Sequence, residues 1–335
     1  MQNPLLDRYS RYSRSSTCGE MLGETTGLPA FTKIKPEHVV PAIDHILDKN
    51  RLGVEALLAK NKTYTWKNLI HPLEEMSERL DRAWSPVSHM NSVVNSEVLR
   101  EAYNTCLPKL SVYATEMGQN EGLFQAYLQI AQGPEYPSLD TAQKKIIDNA
   151  LRDFRLSGIA LAPEKKARYK SIMQELSTLY SRFSDHLLDA TNAWKKQITD
   201  ETRLAGLPAS AIALAKQTAE REKWDGWVFT LEFPSYLPVM TYAGDRALRQ
   251  EIYTAYVTRA SDEGPHAGKW DNTLLMEQIL ALRHETAQLL GFANYAEYSL
   301  TTKMAETPSR VITFLNDLSE RALPMARKEL DEIRA

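Results

Sequence analysis

Hydrolytic chemistry at neutral pH needs a nucleophile with a base beside it, or a metal held by about three protein ligands. Histidines, cysteines and glycine-framed serines are therefore the residues to place first. The chain has seven histidines: His38, His45, His71, His89, His186, His266 and His284. No two stand at i, i+4, the spacing that sets two imidazoles on one helical face. His284-Glu285-Thr286-Ala287-Gln288 begins like H-E-x-x-H, but an amide stands where the second imidazole belongs. The plain reading of His284 is a helix residue with an ordinary hydrogen bond. His38 and His45 share a helical face, yet two turns of helix, about 10 Å of rise, separate them. Asp185, His186 and Asp189 could pair as acid and base; on a long polar helix they read as a solvated face. Cys106, in an apolar context shortly before Pro108, reads as a buried structural thiol. Cys18 lies in the N-terminal tail, where nothing holds a partner. There is no G-x-S-x-G and no phosphate-cradling glycine loop. Trp194, Trp224 and Trp227 could line a groove, but packing in a core or at a domain junction is the simpler account. The residues therefore offer no catalytic group, no cofactor-binding residue and no metal ligand.

The elements that would have to position any site are mostly helices. Pro36 suits a first helical position, and Val39, Val40, Ile43, Ile46 and Leu47 follow at helical spacing. A second helix is expected from Trp66 to Trp84, broken before Pro86, and a third from Ser96 towards Gly118, kinked or divided at Pro108. Ile146, Ile147, Ala150, Leu151 and Phe154 form one stripe, closed by Gly158. Pro163 and Glu164 restart the helix. Ile172, Leu176, Leu179, Phe183, Leu187, Thr191, Trp194 and Ile198 then predict a spine of some 35 residues, about 50 Å long. The alternation in Trp227 to Phe233 predicts a strand, with Leu237 to Tyr242 returning as a second, edge strand beside Pro238. Asp245 caps a further helix, 261–268 is a loop, and Thr273 to Leu290 is helical with Gly291 as its stop. Thr307 and Pro308 open a last helix with Val311, Ile312, Phe314, Leu315 and Leu318 on its face. Pro324 is expected to interrupt that pattern, and an amphipathic run of Met325, Leu330 and Ile333 then reaches Ala335 with no stop signal, so the chain is expected to be cut inside a longer domain. The fold class is mostly α, in multi-helix lobes with a small β-hairpin or sheet near 226–242.

Composition bounds the function. The 335 residues are 43% apolar and 25% charged, ordinary for a soluble globular chain, with only 14 glycines. The net charge of −3 supplies no basic excess to neutralise phosphates, so neither nucleic acid nor a membrane surface is expected as partner. No apolar run of about 18 residues could span a bilayer as a helix. Two cysteines make no disulfide framework and fit a reducing cytoplasm. The Arg- and Ser-rich stretch 8–17 has the look of a transit peptide, but Asp7, Glu20 and Glu24 favour a disordered tail.

Longer blocks carry a resemblance. LAGLP (204–208), WVFTLEFPSYLPVMTY (227–242), LRHETAQLLGFANYAEYSL (282–300) and KMAETP (303–308) are similar to the zinc oligopeptidases of the thimet oligopeptidase family. So are IKPEHVVPAI (34–43), SPVSHMNSV (85–93) and TAQKKIIDNALRDFRLSGIAL (141–161). The likeness covers about residues 28–335; NPLL (3–6) shares it, and the stretch between does not. It implies an incomplete part of a two-lobed, channel-type peptidase. In that division residues 1–27 are a poorly packed tail, 28–158 an N-terminal helical domain, and 159–335 the first part of the catalytic-lobe region. It also implies a cytosolic enzyme that cleaves short peptides with zinc, which an H-E-x-x-H helix and a later glutamate would hold. None of those ligands has a counterpart here, because the family's motif lies C-terminal to the matching segments. The chain is thus expected to form channel wall and to be inactive alone. Its expected partners are short peptides and the missing C-terminal half. The alternative is a non-catalytic helical scaffold that binds peptides or a partner.

Overall fold

The computed structural model describes residues 3–7 and 29–335. The chain forms two compact units, Met1–Ser177 with Arg283–Ala335, and Thr178–Leu282.

Among the described residues, the first unit has helices and no strand. α1 is a single turn, Pro4–Asp7. It belongs to the segment expected to be a loose tail, yet Leu5 is buried in a cluster with Ile34, Val39, Ile43, Ala83 and Val87. The Asn3 side chain ties the turn down by donating to the His38 carbonyl at 2.8 Å. The rest of that tail, with Cys18, lies outside the described residues. α2 (Pro36–Lys60) opens with its proline at N1, where no backbone donor is lost. Val39, Ile43, Ile46, Leu47 and Val54 make its buried stripe. A π-helical turn, Trp66–Ile70, leads into α3 (His71–Val93), and α4 (Glu97–Gly118) follows.

Neither Pro86 nor Pro108 breaks its helix. Pro86 is buried beside Ala83 and Val87. Packing on that face outweighs one missing ladder bond, so the break expected before residue 86 does not occur. α5 (Glu121–Gln132) and α6 (Thr141–Leu156) pack through Leu123, Tyr127, Ile130, Ile147, Leu151 and Phe154 into a second cluster. Asp140 and Gln143 close a capping box on α6, and Gly158 takes φ +79° just beyond its end.

α7 (Pro163–Ala193) is the long helix the apolar spacing predicts, but it stops five residues short of Ile198. Lys195–Ile198 is instead a strand, β1, paired antiparallel with β2 (Trp227–Thr230) in the register Lys195↔Thr230 to Ile198↔Trp227. The return strand expected at Leu237–Tyr242 is a helix, α9 (Phe233–Tyr242). Pro234 in its first turn favours helix, and the Ser235 hydroxyl accepts the Thr230 N–H at 3.0 Å, which ends the strand. α8 (Ala209–Glu222) lies between the strands in sequence and α10 (Arg246–Val257) follows α9, capped by Asp245 as expected. Trp194, Ile198, Phe229, Leu231, Val239, Leu248 and Ile252 are the core of this second unit.

α11 (Thr273–Leu289) ends at Gly291, where φ is +84°. α12 (Tyr295–Leu300) is short. α13 (Pro308–Arg334) is capped by Thr307 and runs through Pro324 without interruption. None of its residues is buried. Among the described residues no helix is long and apolar enough to cross a membrane.

Candidate functional site

His284 and Glu285 lie on α11, where the carboxylate answers for itself. Arg168 on α7 grips it with both ends of its fork, Nε to Oε1 and Nη2 to Oε2, each at 2.6 Å. Those hydrogen bonds hold the Glu285 carboxyl below the usual carboxylate range. A base clamped by a cation is poorly placed to take a proton from water. Gln288 donates its side-chain amide to the Phe292 and Ala293 carbonyls, 3.2 and 2.8 Å away, and so ties the turn after the helix back onto its last turn. His284 itself is exposed. This run is a structural strap.

The remaining histidines are dispersed. His38 Nδ1 accepts the Lys35 backbone N–H at 3.1 Å at the start of α2. His45 is exposed, and His71 faces Glu75 at 3.6 Å on the surface. His89 packs against Phe31 and His266 against Trp270. His186 Nδ1 meets the Asn272 side-chain oxygen at 2.9 Å, and the buried Asn272 amide donates to the Phe183 carbonyl. Among the described residues no three His, Cys, Asp or Glu side chains gather as metal ligands. The donor set does not fit the zinc that the resemblance implies, which takes about three or four protein ligands. Cys106 is fully buried, and burial pushes its thiol up to about 11, which keeps it protonated and inert.

A groove of about 270 Å³ opens on α2 and α4, with Asp44, Asp48, Arg51, Pro108 and Lys109 on its walls. Its charges answer one another. Lys109 Nζ bonds both oxygens of Asp44 at 2.6 and 2.8 Å. Arg51 bridges Asp48 at 3.2 Å and Glu116 at 3.0 Å, and Lys170 reaches the other oxygen of Glu116 at 3.1 Å. Burial alone would raise the Glu116 carboxyl; the hydrogen bonds from Lys170 and Arg51 outweigh it and hold the group low. With every carboxylate paired, the groove offers recognition but no general base. Apart from Arg51 with Asp48, three residues away, the charge partners described here lie 54 to 117 residues apart in sequence, so no local spacing announces them.

Residues 43–166 match the family described as neurolysin/thimet oligopeptidase, N-terminal domain, and residues 239–335 match peptidase family M3. Over 308 residues the chain is 57% identical to oligopeptidase A of Escherichia coli strain K12, an alignment that takes in 92% of this chain and 45% of that protein. The two matched segments are domains of the thimet oligopeptidase and M3 peptidase families. Oligopeptidase A of Haemophilus influenzae is 56% identical over 308 residues, with the same shares of 92% and 45%. A probable cytosolic oligopeptidase A of Arabidopsis thaliana is 35% identical over 314 residues, covering 92% of this chain and 44% of that protein. The chain spans about half the length of the curated relatives it matches. The two family matches fall on either side of residues 167–238, which include β1, α8 and β2.

Proposed function

We propose that this chain is part of a zinc-dependent endopeptidase of the oligopeptidase A kind, acting on short peptides in the cytosol. In this reading it supplies peptide-contacting wall, and the metal ligands and the general base come from polypeptide outside these residues. The observation that carries it is the 57% identity over 308 residues, which span under half of a named oligopeptidase. The pairing of the carboxylates agrees: Glu285 and Glu116 are held by Arg168, Arg51 and Lys170 rather than aimed at a shared point.

The test is reconstitution. The chain is assayed with a fluorogenic oligopeptide and zinc, alone and mixed with the separately expressed remainder of the E. coli enzyme. No cleavage is expected alone, and chelator-sensitive cleavage is expected in the mixture. Zinc-dependent turnover by the chain alone would overturn the reading.

One observation favours a second reading, a helical scaffold that binds peptides or a partner without catalysis. α13 leaves Ile312, Phe314, Leu318 and Met325 each about half exposed or more, an apolar surface of the sort that marks interaction sites. Binding of the complementing polypeptide with no rescue of hydrolysis would favour that scaffold.

A further inference from the structure

Two helices of the second unit carry the same pattern. Phe233, Tyr236 and Leu237 on α9, and Tyr253, Tyr256 and Val257 on α10, each stand at i, i+3, i+4 and so share a helical face. Tyr236 and Tyr256 stack ring on ring, with centroids 3.9 Å apart and planes 15° from parallel. The guanidinium carbon of Arg259 lies 3.7 Å from the centre of the Tyr256 ring. Two groups so near one ring must take its two faces, so Tyr256 lies between Tyr236 and Arg259. Phe233, Leu237, Tyr253 and Val257 border the stack and are exposed.

Arg259 is fixed in this position. Its Nε donates to the Tyr256 carbonyl at 2.8 Å and its Nη1 to the Thr191 hydroxyl at 3.0 Å. A guanidinium has five N–H donors in a planar fork, so the rest of the fork is unused. Among the described residues no carboxylate lies within the 4.0 Å of an ion pair, although Asp262 and Glu263 follow closely in sequence. Three other cations of this unit are ion-paired: Lys195 with Glu222, Lys196 with Glu251, and Arg203 with Asp245. A half-buried cation held flat and left without a counter-charge is a preorganised receptor for a carboxylate, which its fork matches in two parallel bonds.

We propose that Arg259 receives the C-terminal carboxylate of a bound peptide, with the peptide's last apolar side chain lying against the rim of Phe233, Leu237, Tyr253 and Val257. The proposal rests on the peptide-binding role proposed above, and it can fail by itself.

The test uses the full chain and N-terminally labelled pentapeptides ending in phenylalanine, followed by fluorescence anisotropy. The free acid should bind about tenfold more tightly than the C-terminal amide. Arg259→Lys keeps the charge and loses the planar fork, and Tyr256→Leu removes the surface that holds it. In each variant the acid-to-amide ratio should fall towards one, with the far-UV spectrum unchanged. Should both variants unfold, the ratio in the unsubstituted chain decides alone. Equal binding of acid and amide, or no binding of either at millimolar peptide, overturns the assignment. An amidated peptide with an internal aspartate that binds as well as the free acid also overturns it, by moving the recognition to side-chain carboxylates. The peptidase reading is judged separately, by cleavage of an amidated substrate in the reconstituted mixture.

Discussion

Gly226 and Gly268 share a left-handed backbone, with φ of +79° and +74°, but differ in what surrounds them. A Cβ on Gly226 would stand 2.1 Å from the Ile198 carbonyl oxygen, across the β1–β2 pair. A Cβ on Gly268 would meet nothing within 4 Å. Gly268→Ala should therefore lose only the torsional term, about 1–2 kcal/mol. Gly226→Ala adds a collision with backbone that cannot move aside, and should lose more than about 3 kcal/mol in all. Urea unfolding of the two variants separates the terms, and equal losses would mean that the strand pair yields. At this scale the candidate site was legible only as a deficit. The amide at Gln288 is visible in the sequence, whereas the Arg168 clamp on Glu285 is not. It joins residues 117 apart, and neither residue type is unusual at its position.

Among the elements, those with local signals behave as their residues dictate. Thr307, Asp245 and Asp140 each cap the helix that follows, because a short side-chain oxygen next to extended backbone satisfies a free N–H. Val39, Ile43, Ile46 and Leu47 on α2 and Ile147, Leu151 and Phe154 on α6 are buried as their spacing requires, while Ile146 stays exposed. α13 has the same periodicity with no burial. Leu318→Glu should then change the unfolding free energy by no more than about 0.5 kcal/mol. Ile252→Ala, on α10 and fully buried, should lose about 2–5 kcal/mol. Chemical denaturation checks both, and a large loss at Leu318 would mean that the helix packs in solution.

For the molecule as a whole, the lowered carboxylates set a pH dependence. Glu285, Glu116 and Asp245 all have folded pKa values below their unfolded ones. Between the folded and unfolded values the unfolded chain binds more protons, so stability is highest above the ordinary carboxylate range, about pH 4. It is lost as pH falls below that range. Each pair is partly exposed and worth about 1 kcal/mol or less. The urea midpoint should be nearly level from pH 7 to 5 with respect to these groups and fall below about pH 4.5. Glu285→Gln should make that fall shallower; an unchanged slope would assign the acid sensitivity elsewhere.

The sequence alone determined many of the helices, though not α5, α8 or α9, some of their caps, and the likeness to the thimet oligopeptidase family. Those are properties of neighbours three or four residues apart and of long ordered blocks. The tertiary structure decided the rest. It took Lys195–Ile198 from the end of a helix to pair with Trp227–Thr230, carried α3 and α4 through their prolines, and joined Arg168 to Glu285 and Arg259 to the tyrosine stack. Strand partners, charge partners and the packing that tolerates a lost hydrogen bond depend on residues brought together from about 20 to more than 100 positions away, and no period within a helix or strand encodes such a meeting.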